Sequence, residues 1–242
     1  MKKLRIFVLS MVLTAVFAFG SLSAEAAETS GSASVDVMSS YMWRGFELHE
    51  DAAVQPSVGI TYGGFGANLW SDYNTGPGEA AETDLTFNYS FSADKFSFDV
   101  GWIYFGLDGA EDTQELFLTV GYDILLSPSL TVYYDFDEGD GAFIVASIGH
   151  SFGITEKISI DLGASASYNV ESEYSIGNYS DFHNGELTAS MSFPVNDAIS
   201  ITPILAYSFA LSDDAEAAIE SLSADGDESD FFYGGLNMTL SF

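Results

Sequence analysis

The stretch FYGGLNMTLSF, residues 232–242, indicates the fold of this chain most clearly. Large apolar residues recur at every second position, and the positions between them are small or polar. In an extended strand, successive side chains point to opposite faces, so this stretch would have one apolar and one polar face. The apolar face would carry Phe232, Leu236, Met238, Leu240 and Phe242, and the other face Tyr233, Asn237, Thr239 and Ser241.

The same alternation recurs along the rest of the chain. Each segment is about the 9–11 residues that a tilted membrane strand needs, and single-chain bacterial barrels have an even number of strands. We therefore predict an all-β fold, a transmembrane antiparallel up-and-down β-barrel of about 12 strands, with ten or fourteen strands as alternatives. The twelve segments are 32–43, 53–63, 65–73, 82–92, 95–106, 112–124, 129–137, 141–153, 157–169, 182–194, 198–210 and 230–242.

The connections between these segments alternate in length. Short turns at one rim and long loops at the other are typical of outer-membrane barrels, and both chain ends would then lie on the periplasmic rim. The sequence thus predicts a multi-pass barrel in the outer membrane of a Gram-negative-type bacterium. The predicted short turns are 63–64, 92–94, 125–128, 154–156 and 195–197. The mostly longer, acidic loops are 44–52, 74–81, 107–111, 138–140, 170–181 and 211–229.

The composition favours a membrane barrel over a soluble β-protein. Charged residues make up 17% of the chain and aromatic residues 15%, although the net charge is −30. A soluble domain has about 25% charged residues, and acidic disordered chains are poor in aromatics. A soluble β-sandwich would also alternate, but its outer face carries mixed charges. Here the polar faces carry mainly Ser, Thr, Asn and Gly, which fit a wet lumen. The chain has no cysteine, which excludes disulfides and thiolate metal sites.

The N-terminus has the pattern of an export signal. Lys2, Lys3 and Arg5 precede an apolar run of about 14 residues, and a small-x-small site ends at Ala26. This run is shorter than the ~20 residues of a spanning helix. We predict a signal peptide over 1–26 and the barrel over 27–242. Without residues 1–26, which hold those three basic residues and Glu25, three basic residues remain against 35 acidic ones. Nucleic acid is therefore excluded as a partner.

Residues 38–73 carry a family resemblance. The matching pieces are Tyr41, Arg44 and Gly45 in YMWRG, then AVQP at 53–56, then Gly66 and the pair at 70–71. This segment resembles the opening of the TorF family of porins, which are outer-membrane barrels. The terminal Phe242 after alternating apolar residues is similar to the signal that barrel-assembly machinery reads during insertion. The resemblance implies the fold and the location. It implies no substrate and no catalytic residue.

Strand parity places a set of charged side chains inside the barrel or at its rim. A ring of carboxylates in a wet pore lowers the energy of cations and raises that of anions, so we predict a passage for small solutes that prefers cations. An alternative is that these carboxylates only solvate the lumen. Arg44 is interpreted as a salt-bridge hub that holds the first loop against the wall, with direct solute binding as an alternative. The candidates are Asp36, Arg44, Asp84, Asp99, Glu115, Asp123, Asp135, Asp161 and Glu186.

The sequence offers little for catalysis or metal binding. His150 and Ser151 are adjacent, so a strand would place them on opposite faces, whereas a nucleophile and its base need contact. The histidines lack the close spacing of a zinc site. The acidic runs at 135–141 and 225–230 do not fit an EF-hand loop, and we interpret them as solvated loops, with weak divalent binding as the alternative. We predict no enzyme, no catalytic residue, no metal and no cofactor.

The interior and the last loop bear on whether the lumen is open. Residues 215–222 have helical composition, with Asp213 or Asp214 as the predicted cap, and this helix would fold over the mouth. The predicted partners are outer-membrane lipid and small solutes or cations. A structural or surface barrel without transport is the alternative, because twelve strands do not decide between a filled and an open lumen. Inward bulky residues that would narrow the lumen are Met38, Met42, Trp70, Ile103, Phe105, Phe117, Tyr133 and Phe143.

Overall fold

The computed structural model describes residues 28–224 and 226–242, and the signal peptide predicted for 1–26 lies outside these residues. Twelve antiparallel strands form a closed barrel, and a separate hairpin and one helix lie in the connections. The barrel strands are β1 Thr29–Met38, β4 Ala53–Tyr62, β5 Phe65–Asn74, β6 Glu79–Ala93, β7 Phe96–Leu107, β8 Thr113–Tyr122, β9 Ser129–Asp135, β10 Ala142–Gly153, β11 Ser159–Val170, β12 Ser180–Pro194, β13 Ile199–Ala210 and β14 Asp230–Ser241. The hairpin is β2 Tyr41–Trp43 and β3 Phe46–His49, and the helix is α1 Asp213–Leu222.

Consecutive strands of the wall are neighbours, which confirms the predicted up-and-down barrel of 12 strands. The barrel closes where β1 pairs with β14, from Ser32 opposite Ser241 to Met38 opposite Gly235. At the end of this seam, Gly31 and Phe242 exchange two backbone hydrogen bonds of 2.7 and 2.9 Å. Closure leaves no unpaired edge in the wall of the barrel. An unpaired strand edge in contact with lipid would be unfavourable, because its backbone groups could not form hydrogen bonds there.

The outer face of the wall is apolar. Side chains along it, such as Phe87 at 49% exposure and Leu187 at 52%, are left uncovered by residues 28–224 and 226–242. A contiguous apolar surface of this size on a soluble monomer would cause aggregation, whereas a bilayer covers it. Aromatic residues stand at both ends of the belt, as expected at the two membrane interfaces. They include Tyr62, Phe65, Phe96, Phe152 and Phe242 at the short-turn end, and Tyr73, Phe182 and Phe232 at the long-loop end.

The first predicted strand is the main correction to the fold. A continuous strand over 32–43 was predicted, but the wall strand β1 ends at Met38, and residues 41–49 form the β2–β3 hairpin. Alternation continues through both parts, so the sequence pattern does not mark the break. The hairpin turn is Arg44-Gly45, with φ of 49° and 90°. Two central residues with positive φ define a two-residue turn of the type I′ class.

Helix α1 lies in the last long loop, where the sequence analysis placed a short helix. Its N-cap is Ser212, not the predicted Asp213 or Asp214. Ser212 has extended backbone angles, and its hydroxyl accepts a hydrogen bond from the backbone N–H of Ala215, which is the geometry that defines an N-cap. Asp213 and Asp214 follow in the first turn, where their charge suits the helix dipole. Among the residues that the structure describes, no helix is long and apolar enough to cross a membrane.

Close packing inside the wall gives a first stability prediction. A Cβ added to Gly101 would lie 2.5 Å from a ring carbon of Phe117 and 2.5 Å from the carbonyl oxygen of Phe87. We expect Gly101→Ala to destabilise the barrel by about 1–3 kcal/mol, because β7 and β8 must separate to accept the methyl group. Gly153→Ala is the matched control, since its added Cβ meets no atom within 4 Å. Urea unfolding in lipid vesicles, followed by tryptophan fluorescence, measures both, and equal losses of stability would contradict this packing argument.

Candidate functional site

The β2–β3 hairpin contributes residues to the inside of the barrel. A Cβ on Gly45 at its turn would lie 3.0 Å from the side chain of Asn184 on β12. His183, also on β12, places Nε2 2.7 Å from the carbonyl oxygen of Arg44. The tip of the hairpin therefore packs closely against the inner face of the wall. Arg44, which the sequence analysis placed at the start of the first long loop and inside the barrel or at its rim, lies in the turn of this hairpin.

Arg44 forms the central ionic contact of the lumen. Its two terminal nitrogens donate to the two carboxylate oxygens of Glu115 at 2.8 and 2.6 Å. Both side chains are buried, with 9% and 1% exposure. The rings of Trp43, Tyr133 and Phe143 surround the guanidinium, with centroids 4.5 to 4.8 Å from Cζ. This bidentate pair, enclosed by aromatic faces, is a geometry that arginine can make and lysine cannot.

Two further polar contacts hold the hairpin against the wall. The Tyr41 hydroxyl donates to Glu82 on β6 at 2.9 Å. Burial is the main cause that raises the pKa of the Tyr41 phenol well above its usual value, and the nearby charge of Glu82 adds to it. The phenol therefore keeps its proton and remains a hydrogen-bond donor. On the next wall strand, Nε2 of His49 lies 2.9 Å from Oδ2 of the fully buried Asp72. The hairpin is thus attached to β5, β6, β8 and β12, around a large part of the wall.

An apolar cluster fills the space between the hairpin and the rest of the long-loop end. Phe46 at 1% exposure and Phe143 at 3% meet Ile176 from the loop after β11 and Ile219 from α1, both at 0%; the fifth member is Phe231 on β14. Burying such a side chain contributes about 1.5–3 kcal/mol. The end of α1 is also tied to the hairpin, because the backbone N–H of Glu47 donates to the Ser223 hydroxyl at 3.1 Å. The long-loop half of the lumen is therefore a packed core.

The short-turn half of the lumen is different in character. Here hydrogen bonds join neighbouring strands of the wall, as between Asn88 and Asp99 at 2.7 Å or Asn237 and Asp36 at 2.9 Å. An open cavity of about 770 Å³ at this end is lined by polar residues that include Asp123, Asp161 and Ser190, and by apolar residues such as Leu125. A space of this size with several polar side chains has room for many water molecules. The lumen therefore consists of a wet half below a packed half.

The predicted site residues divide between these two halves. Glu115 and Asp135 belong to the packed half, where each is only 1% exposed. The sequence analysis treated both as lining a wet pore, but neither of them faces open solvent. The inward loops cover these two carboxylates. The hydroxyl of Thr113 donates a hydrogen bond to Asp135. Asp84 is part of the same half. Glu186 lies between the halves and accepts from the Tyr233 hydroxyl at 2.7 Å. Asp36, Asp99, Asp123 and Asp161 line the wet half or its rim.

Several residues of the packed half were absent from the predicted set. Asp72 shares the inner face with Trp70, and Glu82 shares it with Asp84. Both lie within the predicted segments 65–73 and 82–92, so strand parity could have identified them. His183 could not be found in this way. A register shift in the pairing of β11 with β12 lies beside it, so His183 and Asn184 are both buried although they are adjacent.

The residues considered for other chemistries remain apart. Nδ1 of His150 lies 2.7 Å from the carbonyl oxygen of Leu125, and its ring packs edge-on against Phe152, which is on the outer face. Ser151 lies on the opposite face, opposite Asp161. Within residues 28–224 and 226–242, no group of three or more His, Asp or Glu side chains is placed to hold a metal ion.

A closed barrel with an apolar belt, aromatic rims and a polar half-lumen defines the class of transmembrane β-barrels. The fold is similar to that of the NanC porin, with a TM-score of 0.54 at 12% identity, covering 87% of this chain and 98% of NanC. It is also similar to the KdgM porin, with a TM-score of 0.56 at 11% identity and coverage of 88% and 99%. An outer membrane channel from Pseudomonas putida F1 has a TM-score of 0.52 at 9% identity, covering 93% of this chain and 98% of the channel.

These similarities concern the fold. No family model matches the sequence, and no curated protein matches it. The chain is a multi-pass barrel of the outer membrane with a porin-like fold, as its belt and its structural neighbours indicate together.

Proposed function

We propose that this barrel is a channel of the TorF family, without enzymatic activity, that lets small solutes cross the outer membrane and prefers cations. The observation that carries the proposal is the charge of the lumen. Asp36, Asp99 and Asp161 line its wet half, whereas Arg44 is already bound to Glu115. The other two basic residues after residue 26, Lys95 and Lys157, lie in turns outside the strands.

The physical basis is the energy of an ion in a narrow aqueous space. Carboxylates on the wall stabilise a passing cation and repel an anion, and the low dielectric of the surrounding barrel and lipid strengthens both effects. The effect of each charge extends about 8–10 Å at physiological salt, comparable with the radius of a small pore.

KdgM has been described in complex with oligogalacturonate, which is a polyanion. The acidic lumen of this chain argues against a polyanion as its solute.

The packed half of the lumen limits what can pass. A solute must move along narrow paths between the hairpin and the wall, or the hairpin must move. The same observation favours a second candidate function, a structural or surface barrel without transport. The apolar cluster of Phe46, Phe143 and Ile219 supports this alternative, because a barrel that does not conduct gains stability from such a core.

Single-channel recording in a planar lipid bilayer under a KCl gradient tests the proposed function. We expect small conductance steps and a reversal potential on the cation-selective side. Asp99→Asn and Asp161→Asn together should move that potential towards zero, because they remove two charges from the wet half at little change in volume. Asp213→Asn is the control, since Asp213 lies in the first turn of α1, and it should leave the potential unchanged. Folded, heat-modifiable protein that gives no steps would favour the structural barrel.

A further inference from the structure

The packed half contains a cavity that the proposed function does not use. It has a volume of about 330 Å³ and lies between the hairpin, β7 and the loop after β11. Its walls are mostly apolar and include Trp43, Phe105 and Tyr174. At its border Leu48 and Leu222, 40% and 54% exposed, mark the side that opens at the long-loop end. The volume is at the lower end of the range of about 300–1,000 Å³ found for small-molecule sites.

Two polar groups of this cavity point to a bound molecule. The hydroxyl oxygen of Ser175 is buried and has no hydrogen-bond partner among the described residues. Glu82, which also lines the cavity, is 6% exposed; it accepts a hydrogen bond from the phenol of Tyr41 and shares another with the carboxyl group of Asp84. Buried polar groups are normally satisfied, so an unpaired hydroxyl beside a buried carboxylate indicates a missing partner that donates hydrogen bonds.

The charge balance around the cavity indicates the sign of that partner. Glu115 is paired with Arg44, and Asp72 with the ring of His49. Glu82 and Asp84 hydrogen-bond each other, so they share one proton, and the remaining negative charge of this pair forms no salt bridge among the described residues. A carboxylate oxygen of Asp84, two residues along the same face from Glu82, also has no partner among the described residues. An excess of buried carboxylates is costly unless a cation compensates it. An added positive charge would therefore stabilise this cluster, and an added negative charge would not.

We propose that this cavity binds a small organic cation, a primary ammonium group attached to an aromatic or aliphatic body. The ammonium would donate to Glu82 and to the Ser175 hydroxyl, and the body would pack against Trp43, Phe105 and Tyr174. Aromatic faces beside the charge add a cation–π contribution. This inference deepens the proposed function, since it names a class of cation that reaches the lumen from the long-loop end, and it rests on the acidic lumen proposed there.

Calorimetric titration of the folded barrel in detergent tests the inference. The probes are phenethylamine, the neutral phenethyl alcohol and the anionic phenylacetate, which have nearly the same size. We expect saturable binding of the amine with a Kd of about 1 mM or lower, weaker binding of the alcohol and none of the anion. Equal binding of amine and alcohol, or no binding of the amine by folded protein at millimolar concentration, would overturn the inference.

Two variants locate the binding in this cavity. Glu82→Gln should weaken amine binding by about tenfold or more, because it removes a charge-assisted hydrogen bond. Since Glu82 also accepts from Tyr41, this variant could lose structure, so Ala110→Trp is the second variant. Ala110 lies in an exposed loop at the edge of the cavity, and the indole should fill the space and abolish binding without removing a wall contact. Unchanged affinity in folded Ala110→Trp would contradict the assignment.

The titration and the bilayer recording fail separately. A cation-selective channel that binds no amine retains the proposed function and contradicts this inference. Amine binding by a barrel that gives no conductance steps supports the inference and contradicts the channel.

Discussion

Replacing residues 40–50 with a short Gly-Ser linker is expected to raise the conductance of the barrel severalfold. This segment contains the β2–β3 hairpin, which occupies the long-loop half of the lumen and supplies Phe46 to the apolar cluster. Conductance through an aqueous pore rises with its free cross-section, and the hairpin takes up space inside the lumen, where it packs against the wall. The strands on either side can be joined again easily, because Met38 and Ala53 are directly paired in the wall.

The control is the exposed turn at residues 75–78. It joins Asn74 and Glu79, which are also paired, and its replacement with Asn-Gly should leave the conductance unchanged. Single-channel recording at symmetric KCl measures both variants, and heat-modifiability in gel electrophoresis verifies that each barrel is closed. If the hairpin deletion folds and conducts as the parent does, the hairpin is not the constriction. The remaining loops, α1 above all, would then be the next segments to remove.

Arg44→Ala is expected to destabilise the protein by about 3–5 kcal/mol, because it leaves Glu115 buried without its partner. Glu115 is 1% exposed, and Arg44 supplies both of the hydrogen bonds described above to its carboxylate oxygens. The aromatic faces of Trp43, Tyr133 and Phe143 lose the guanidinium as well. Urea unfolding in lipid vesicles measures the change.

The double variant Arg44→Met/Glu115→Leu separates the cost of losing the ion pair from the cost of leaving one charge buried without a partner. Replacing both members of a buried ion pair with apolar side chains of similar volume is often close to neutral. We therefore expect this variant to recover most of the stability that Arg44→Ala loses. A loss of less than about 1 kcal/mol in Arg44→Ala would be the value of a solvated surface pair. It would mean that the Arg44–Glu115 pair does not hold the hairpin in place.

The wall could be predicted from the sequence because each of its strands carries its own pattern. Along β14, from Phe232 to Leu240, apolar residues alternate with small or polar ones, and the apolar face is the one that faces lipid. The neighbouring strands show the same alternation. The predicted short turn at 63–64 is where β4 ends and β5 begins. The number of strands and the alternation of their apolar and polar faces follow from this local information.

The contents of the lumen could not be predicted, because they depend on contacts between distant segments. Residues 41–43 alternate as a wall strand does, and only their pairing with β3 shows that they have left the wall. The register shift in the pairing of β11 with β12 next to His183 reverses the parity on which the prediction depended. Arg44 was interpreted as a hub from its isolation as a cation, but its partner Glu115 is 71 residues away and cannot be identified by spacing.

The apolar cluster inside the barrel also has a consequence for the order of assembly. It joins Phe46, which follows the first wall strand, to Phe231, which lies in the last one. Contacts between the two ends of a chain are those with the largest loop-closure entropy, and they form late in folding. Phe231 reaches its position only after β14 has been added. We therefore expect the apolar cluster to be completed only when β14 closes the cylinder, at the end of folding.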